Sequence, residues 1–230
     1  MKRPIEEHAA RFDEMAATYD DQENDTDEYR ACVSLVVDAA RDAMDADATV
    51  LDLGCGTGAI GLSLAEDAAR VLGRDISEGM LAQAREKAAD AGLENVSFGE
   101  GRFRDPNVPD DVDVDVVVSN FAMHHLADDE KREALRAVAA LDPDRFVLGD
   151  VMFFGLPDPE EPFYSPEVDD PATVGVLAEA FTDAGFALSD ATSVHDQVGV
   201  LVGDDVDALA AGDHRAFARA DTDALGDGPR

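Results

Sequence analysis

The sequence predicts an α/β fold: a seven-stranded, mostly parallel sheet with helices on both faces and its last strand antiparallel. Three observations carry this. From residue 49 onward, short apolar runs alternate with segments of helical period. The middle runs, VDVVVSN (114–120) and RFVLGDVMF (145–153), are apolar at successive positions, as strands covered on both faces must be. The final runs, FALSDATSV (186–194) and QVGVLVG (197–203), are close enough to pair as an antiparallel hairpin.

Apolar positions at helical spacing cover 5–18 and 27–44, with Thr26 placed to cap the second helix. TVLDL (49–53) is the first strand, AIGLSLAED (59–67) a helix and ARVLGRD (69–75) the second strand. SEGMLAQAREKAADAG (77–92) reads as a helix opened by Ser77 and closed by Gly92. VSF (96–98) is the third strand and 114–120 the fourth; a helix at 128–141 leads to the fifth at 145–153. The loop 154–170, rich in Pro and Glu, precedes a helix at 171–184 and the closing hairpin. The chain thus divides into an N-terminal helical cap or lid (1–48), a core (49–203) and an acidic tail (204–230), expected to be frayed or disordered because no strand signal remains there.

Of the 230 residues, 52 are Asp or Glu and 18 are Lys or Arg, a net charge of −34. The acids are spread along the chain, and lysine occurs only at Lys2, Lys87 and Lys131. Concentrated salt explains this best, since the Debye length falls to about 3 Å at 1 M and self-repulsion is screened. We read the composition as haloarchaeal, cytoplasmic adaptation; an acidic face that recruits a basic partner is the rival reading. Nucleic acid is not an expected partner of so anionic a chain. The opening MKRPIEEHAARF turns acidic before any apolar segment, and no run approaches the ~20 apolar residues of a membrane span. A cytoplasmic location without membrane contact is therefore expected. Cys32 and Cys55 are too few for a disulfide framework.

Chemistry concentrates in VLDLGCGTGAIG (50–61), directly after the first strand. Gly56, Gly58 and Gly61 satisfy G-x-G-x-x-G, a turn shared by dinucleotide enzymes and other nucleoside binders. Asp75, ending the second strand, can accept hydrogen bonds from both hydroxyls of a ribose and would repel a 2′-phosphate. Asp52 adds a negative charge near the loop, which suits a cationic ligand better than a pyrophosphate. S-adenosylmethionine carries an ammonium and a sulfonium and no phosphate. An NAD-dependent oxidoreductase, resting on the glycines and Asp75, and a non-catalytic S-adenosylmethionine-binding protein are the alternatives.

VLDLGCGTG (50–58), GRDISEGML (73–81) and VDVVVSNFAMHHL (114–126) resemble the first, second and fourth-strand motifs of class I S-adenosylmethionine-dependent methyltransferases. RFDEMAATYDD (11–21) is similar to the opening of their small-molecule branch, and the likeness spans roughly residues 10–203. The resemblance implies a Rossmann-like fold, S-adenosyl-L-methionine as cofactor and a small-molecule methyl acceptor. It implies that the backbone of Gly54, Gly56 and Gly58 lines the methionine part of the cofactor, with Asp52 orienting its ammonium and Cys55 packing inside the loop. Asp75 would hold the ribose, Ile76 and Met80 the adenine, Asn120 and Phe121 the methionine side, and Tyr19 would close over the methyl donor. The segment GEGRFRDP (99–106) departs from the acidic residue usual after strand three, so Glu100, Arg102 and Phe103 compete for the adenine contact. LDPDR (141–145) replaces the usual Gly-Gly turn, and Arg74 is expected to pair with a surface acid.

Methyl transfer from a sulfonium is an in-line displacement in which alignment supplies much of the rate, so a base is optional. His125, Tyr19 and Asp150 are the catalytic candidates, with His124 beside them; His195 reads as a turn residue. His124 and His125 are adjacent and lack the i, i+4 spacing of helical metal ligands, so no metal is expected. Phe153, Phe154, Phe163 and Tyr164, with the N-terminal helices, would form a lid over the cleft, a hydrophobic plug or a homodimer contact.

Overall fold

The computed structural model describes residues 2–22, 26–156 and 163–206. Its strands are β1 (Thr49–Leu53), β2 (Arg70–Asp75), β3 (Val96–Glu100), β4 (Val116–Asn120), β5 (Arg145–Phe153), β6 (Ala172–Thr173), β7 (Phe186–His195) and β8 (Val198–Asp205). The helices are α1 (Ile5–Met15), α2 (Tyr19–Gln22), α3 (Asp27–Arg41), α4 (Ala59–Leu64), α5 (Glu78–Asp90), α6 (Asp128–Ala139) and α7 (Val174–Ala184). The sheet runs β3-β2-β1-β4-β5-β8-β7, and the two-residue β6 lies parallel beside the end of β5. Only β8 is antiparallel to its neighbours, β5 and β7. The order reverses between β1 and β4, which opens a crevice at their carboxyl ends.

Side-chain caps set where several helices begin. Thr26 Oγ1 accepts the Tyr29 N–H at 3.1 Å, and Ser77 Oγ accepts the Met80 N–H at 3.1 Å. Thr173 Oγ1 accepts the Val176 N–H, so α7 starts at Val174 rather than 171, and Ala172–Thr173 stays extended beside β5. The helix expected over 5–18 is interrupted: Ala16–Thr18 tighten into a 3-10 turn before α2 resumes at Tyr19. β8 runs to Asp205, past the expected tail boundary at 203, because the buried Asp204 Oδ1 pairs with Arg145 Nε on β5 at 2.6 Å. Positions 207–230 of the expected tail lie outside the described residues.

Alternation along the strands supplies two cores. Val50, Val71, Val116, Val118 and Val147 pack under Val36 and Ala40 of α3 and Ile60 and Leu64 of α4. Leu51, Val117, Phe146 and Leu148 pack under Leu135 and Val138 of α6 and Leu177 and Phe181 of α7. Each fully buried aliphatic or aromatic side chain contributes about 1.5–3 kcal/mol, so both faces hold the crevice rigidly. Among the described residues, no helix is long and apolar enough to cross a membrane.

Candidate active site

The glycine turn is folded by its own backbone. Gly54 and Gly56 adopt φ of +68° and +51°, and the N–H groups of Gly54 and Cys55 both donate to the Arg74 carbonyl, at 2.8 and 3.1 Å. A Cβ at Gly54 would stand 2.4 Å from that of Ala122, so the turn lies flush against the segment after β4. Asp75 locks the same turn: Oδ2 accepts the Gly56 N–H at 2.8 Å and Oδ1 the Ser77 N–H at 2.9 Å. Burial raises the Asp75 pKa above the usual carboxylate value, and these backbone donors oppose the rise.

Together these residues line a cavity at the switch point. Gly54, Cys55, Gly56, Asp75, Ile76, Met80, Asn120, Phe121 and Tyr19, all expected at a cofactor, are in its wall. Of the three competitors after β3, Arg102 and Phe103 line it and Glu100 does not. Asp52 and Gly58 do not reach the wall. Asp52 is buried beneath the loop, where its Oδ2 accepts the Gly61 N–H at 2.9 Å and burial pushes its pKa up to about 7; Gly58 is the N-cap of α4. Among the described residues Arg74 pairs with no surface acid: its guanidinium donates to the carbonyls of Asn107, Gly73 and Ser97.

Two features after β4 stand out. Both amide atoms of Asn120 are buried without a hydrogen-bond partner. Phe121 follows with φ +52°, a left-handed backbone that costs a non-glycine residue about 1–3 kcal/mol, and its ring stands 5.5 Å from Tyr29 and 6.4 Å from Phe163.

The roof comes from the N-terminal segment. Ile5, His8 and Phe12, at i, i+3 and i+7 on α1, face the cavity with Tyr29 of α3; the helical stripe was readable in sequence, its docking partner was not. Asp13 Oδ1 accepts Ser77 Oγ at 2.6 Å and the Gly79 N–H at 2.8 Å, which clamps α1 to the start of α5. Asp20 accepts from Thr57 Oγ1 and from Lys87 Nζ.

A second chamber adjoins the first, and Phe12, Tyr19, Tyr29, Phe121 and His125 line both. Phe163 and Tyr164 help wall it; Phe153 packs against Tyr164 at 5.7 Å, while Phe154 turns inward against Gly199. His125 Nδ1 lies 2.7 Å from Asp169 Oδ1, and Asp169 Oδ2 accepts the Ser165 N–H at 2.7 Å. Burial, together with the neighbouring His124, pushes the His125 pKa down to about 4. Burial alone would raise the Asp169 pKa, yet the His125 hydrogen bond and the two imidazoles hold it at about 2. At neutral pH His125 is therefore an uncharged imidazole that donates Nδ1–H to a carboxylate and leaves Nε2 free to accept a proton.

Asp150, expected to face an acceptor, instead lies buried behind His124. Its Oδ1 is 2.5 Å from His124 Nδ1, and Oδ2 accepts the His124 N–H at 2.9 Å. Burial disfavours the His124 cation, but Asp150 outweighs it and raises the pKa above the usual histidine value. His124, His125 and Asp169 each offer a ligand atom within 4.8 Å of the others. Adjacency of the two histidines argued against a metal, and Asp169, 44 positions away, is what assembles the group. His195 ends β7, its Nδ1 accepting the Gln197 N–H at 3.3 Å, in neither chamber.

A switch-point crevice with a glycine turn, a strand-end acid and two joined chambers defines an α/β protein that brings a nucleoside-type ligand against a second molecule. Residues 50–142 match the methyltransferase domain family. An uncharacterized methyltransferase of Bacillus velezensis is 31% identical over 192 residues, 76% of this chain and 88% of that protein. The chain belongs to the class I S-adenosylmethionine-dependent methyltransferase family. The crystal structure of the YcgJ protein of Bacillus subtilis is similar with a TM-score of 0.59 and 26% identity, over 71% of each chain. The 4+2 cyclase SpnF, 16% identical, shares the fold with a TM-score of 0.73 over 88% of this chain and 97% of its own.

Proposed function

We propose that this protein moves a methyl group from S-adenosyl-L-methionine to a small molecule held in the second chamber, with His125 taking the acceptor's proton. One observation carries the reading: His125, hydrogen-bonded through Nδ1 to Asp169, stands in the wall common to both chambers. The residues fit the cofactor. The orphaned Asn120 amide awaits polar partners, and the left-handed Gly54 and Gly56 keep the wall free of side chains where the methionine part would lie. Asp75 would hold the ribose, with Ile76, Met80, Arg102 and Phe103 around the adenine, and Asp52 would act through the loop it braces. When bound, the cofactor supplies an electrophilic methyl carbon on a positively charged sulfur.

The protein's own part is alignment and proton handling. Phe12, Tyr19, Tyr29 and Phe121 exclude water at the junction and align the acceptor atom with the methyl group. His125 Nε2 accepts the proton that atom loses, and Asp169 stabilises the imidazolium that results, as the carboxylate does in a catalytic triad. Asp150 is a positioning residue acting through His124. The acidic composition suits work in concentrated salt inside the cell.

Calorimetric titration in multimolar KCl with S-adenosylhomocysteine and NAD side by side tests the cofactor. Binding of the first alone is expected; binding of NAD alone would overturn the reading in favour of an oxidoreductase. Labelled methyl donor, added to a metabolite extract, should then mark a small molecule. Its failure to do so with S-adenosylhomocysteine bound would favour a non-catalytic binding protein. The cyclase with the same fold illustrates why this second test is needed.

A second reading has the His124, His125 and Asp169 group behind it. A divalent cation there would act on the acceptor oxygen as a Lewis acid in place of the base. Dialysis against EDTA separates the two: the base reading expects unchanged transfer, whereas loss restored by Zn²⁺ or Mg²⁺ favours the ion.

A further inference from the structure

With 52 acidic residues against 18 Lys and Arg, cations in this chain find carboxylates readily. Arg30, Arg41, Arg85, Arg104, Arg132 and Arg145 each lie within 4.0 Å of one. Arg11 is different. It lines the second chamber and not the glycine-turn cavity, and its Nη1 is buried with no hydrogen-bond partner. Among the described residues it pairs with no acid, and its guanidinium stands 5.5 Å from the Phe12 ring.

Among the described residues the chamber holds one carboxylate, Asp169, and both of its oxygens are engaged, one by His125 and the other by the Ser165 N–H. The remaining walls are largely aromatic, from Phe12, Tyr29, Phe121, Phe163 and Tyr164. A buried guanidinium N–H without an acceptor is costly, and the ligand that removes the cost brings an anionic oxygen. In concentrated salt such a contact survives, because screening acts on exposed charges far more than on desolvated ones.

We propose that the methyl acceptor is a flat aromatic molecule bearing a carboxylate or phosphate, whose anionic group pairs with Arg11 while its ring packs among the aromatic side chains. This rests on the methyl-transfer reading and names the substrate class for it. Arg11 thereby sets which end of the acceptor points away from His125, so it determines specificity rather than taking part in the chemistry.

The test uses the full chain saturated with S-adenosylhomocysteine in multimolar KCl, titrated calorimetrically with two pairs of probes. The carboxylate arm compares 4-hydroxybenzoate with 4-hydroxybenzamide, and the phosphate arm compares phenyl phosphate with phenol. At least one anion should bind about ten-fold or more tightly than its neutral partner, the lower end for hydrogen bonds to charged groups. Arg11→Gln should erase that preference and Arg11→Lys should keep part of it, with circular dichroism and S-adenosylhomocysteine affinity unchanged in both. Equal affinities within each pair, or no binding by any probe to the loaded protein, would overturn the proposal. So would lost S-adenosylhomocysteine affinity in Arg11→Gln, which would give the arginine to the cofactor's own carboxylate. Failure of the wild-type chain to bind S-adenosylhomocysteine would instead refute the methyl-transfer reading.

Discussion

The floor of the cleft, mostly residues 52–80, is a nearly contiguous stretch in which turn chemistry and backbone hydrogen bonds set each position, from the Gly54 N–H on the Arg74 carbonyl to the two donors on Asp75. The roof and far wall are gathered from α1, α3 and Phe163–Asp169, which meet only through tertiary docking. The floor contains no group suited to proton transfer facing the second chamber, whereas Asp169 of the far wall meets His125, which comes from the 3-10 turn after β4. Binding and chemistry are thus divided between a local structure and an assembled one.

That division can be broken most sharply at His125. Replacing it with Ala should lower the methyl-transfer rate by about 10²–10⁴-fold, the usual worth of a general base, with S-adenosylhomocysteine affinity hardly changed. Single-turnover rates alongside calorimetry would read both, and a parallel loss of affinity would erase the distinction. Asp75→Ala attacks the other half. Cofactor affinity should fall by about 1–3 kcal/mol, the cost of leaving buried hydrogen-bonding partners unmet, while the rate at saturating cofactor changes little.

Smaller effects sharpen the boundary between the halves. Asp13→Ala removes the clamp between α1 and α5 and should cost about 1 kcal/mol of stability, as the loss of a helix cap does, and raise the KM for donor and acceptor together. Thermal denaturation and initial-rate kinetics would measure this. Acidity should act on the two halves in opposite senses. Because His125 titrates at about 4, below the unfolded value near 6.5, the unfolded chain gains a proton that the native site refuses, and the His125 contribution to stability declines as pH falls from about 6.5 to 4. Asp52, raised to about 7 beneath the glycine turn, takes up its proton first in the native state and offsets that loss over the same range. The transfer rate keeps its base until pH approaches 4. A rate profile with an acid limb near 6.5 would show that another group supplies the base.

The same contrast explains which parts of the molecule are legible in its sequence. The elements and their order follow from period-two and period-3.6 patterns, the Ser77 cap and the Gly92 helix stop, all local signals. The cavity-wall places of Asp75 and Asn120 were legible because both end strands beside the switch point, and that of Met80 because it follows Asp75 in the first turn of the next helix. Asp52 and Asp150 lie outside the wall of either chamber for a physical reason: a carboxylate within a strand can turn inward to satisfy a backbone N–H or a histidine, and each does so here. Asp169 gave no sign in a loop crowded with acids. Arg11 and His8 lay on a recognisable helix whose docking no local pattern specifies.

Asp13 reaches from the first helix to the very turn that follows Asp75. One carboxylate is thus bolted to the strand end that would grip the sugar, so lifting the N-terminal helix tugs on the ribose side as well. Admission of a fresh acceptor and escape of the spent nucleoside are accordingly expected to share a single breathing motion rather than use separate gates, and turnover should slow in viscous solvent for both at once.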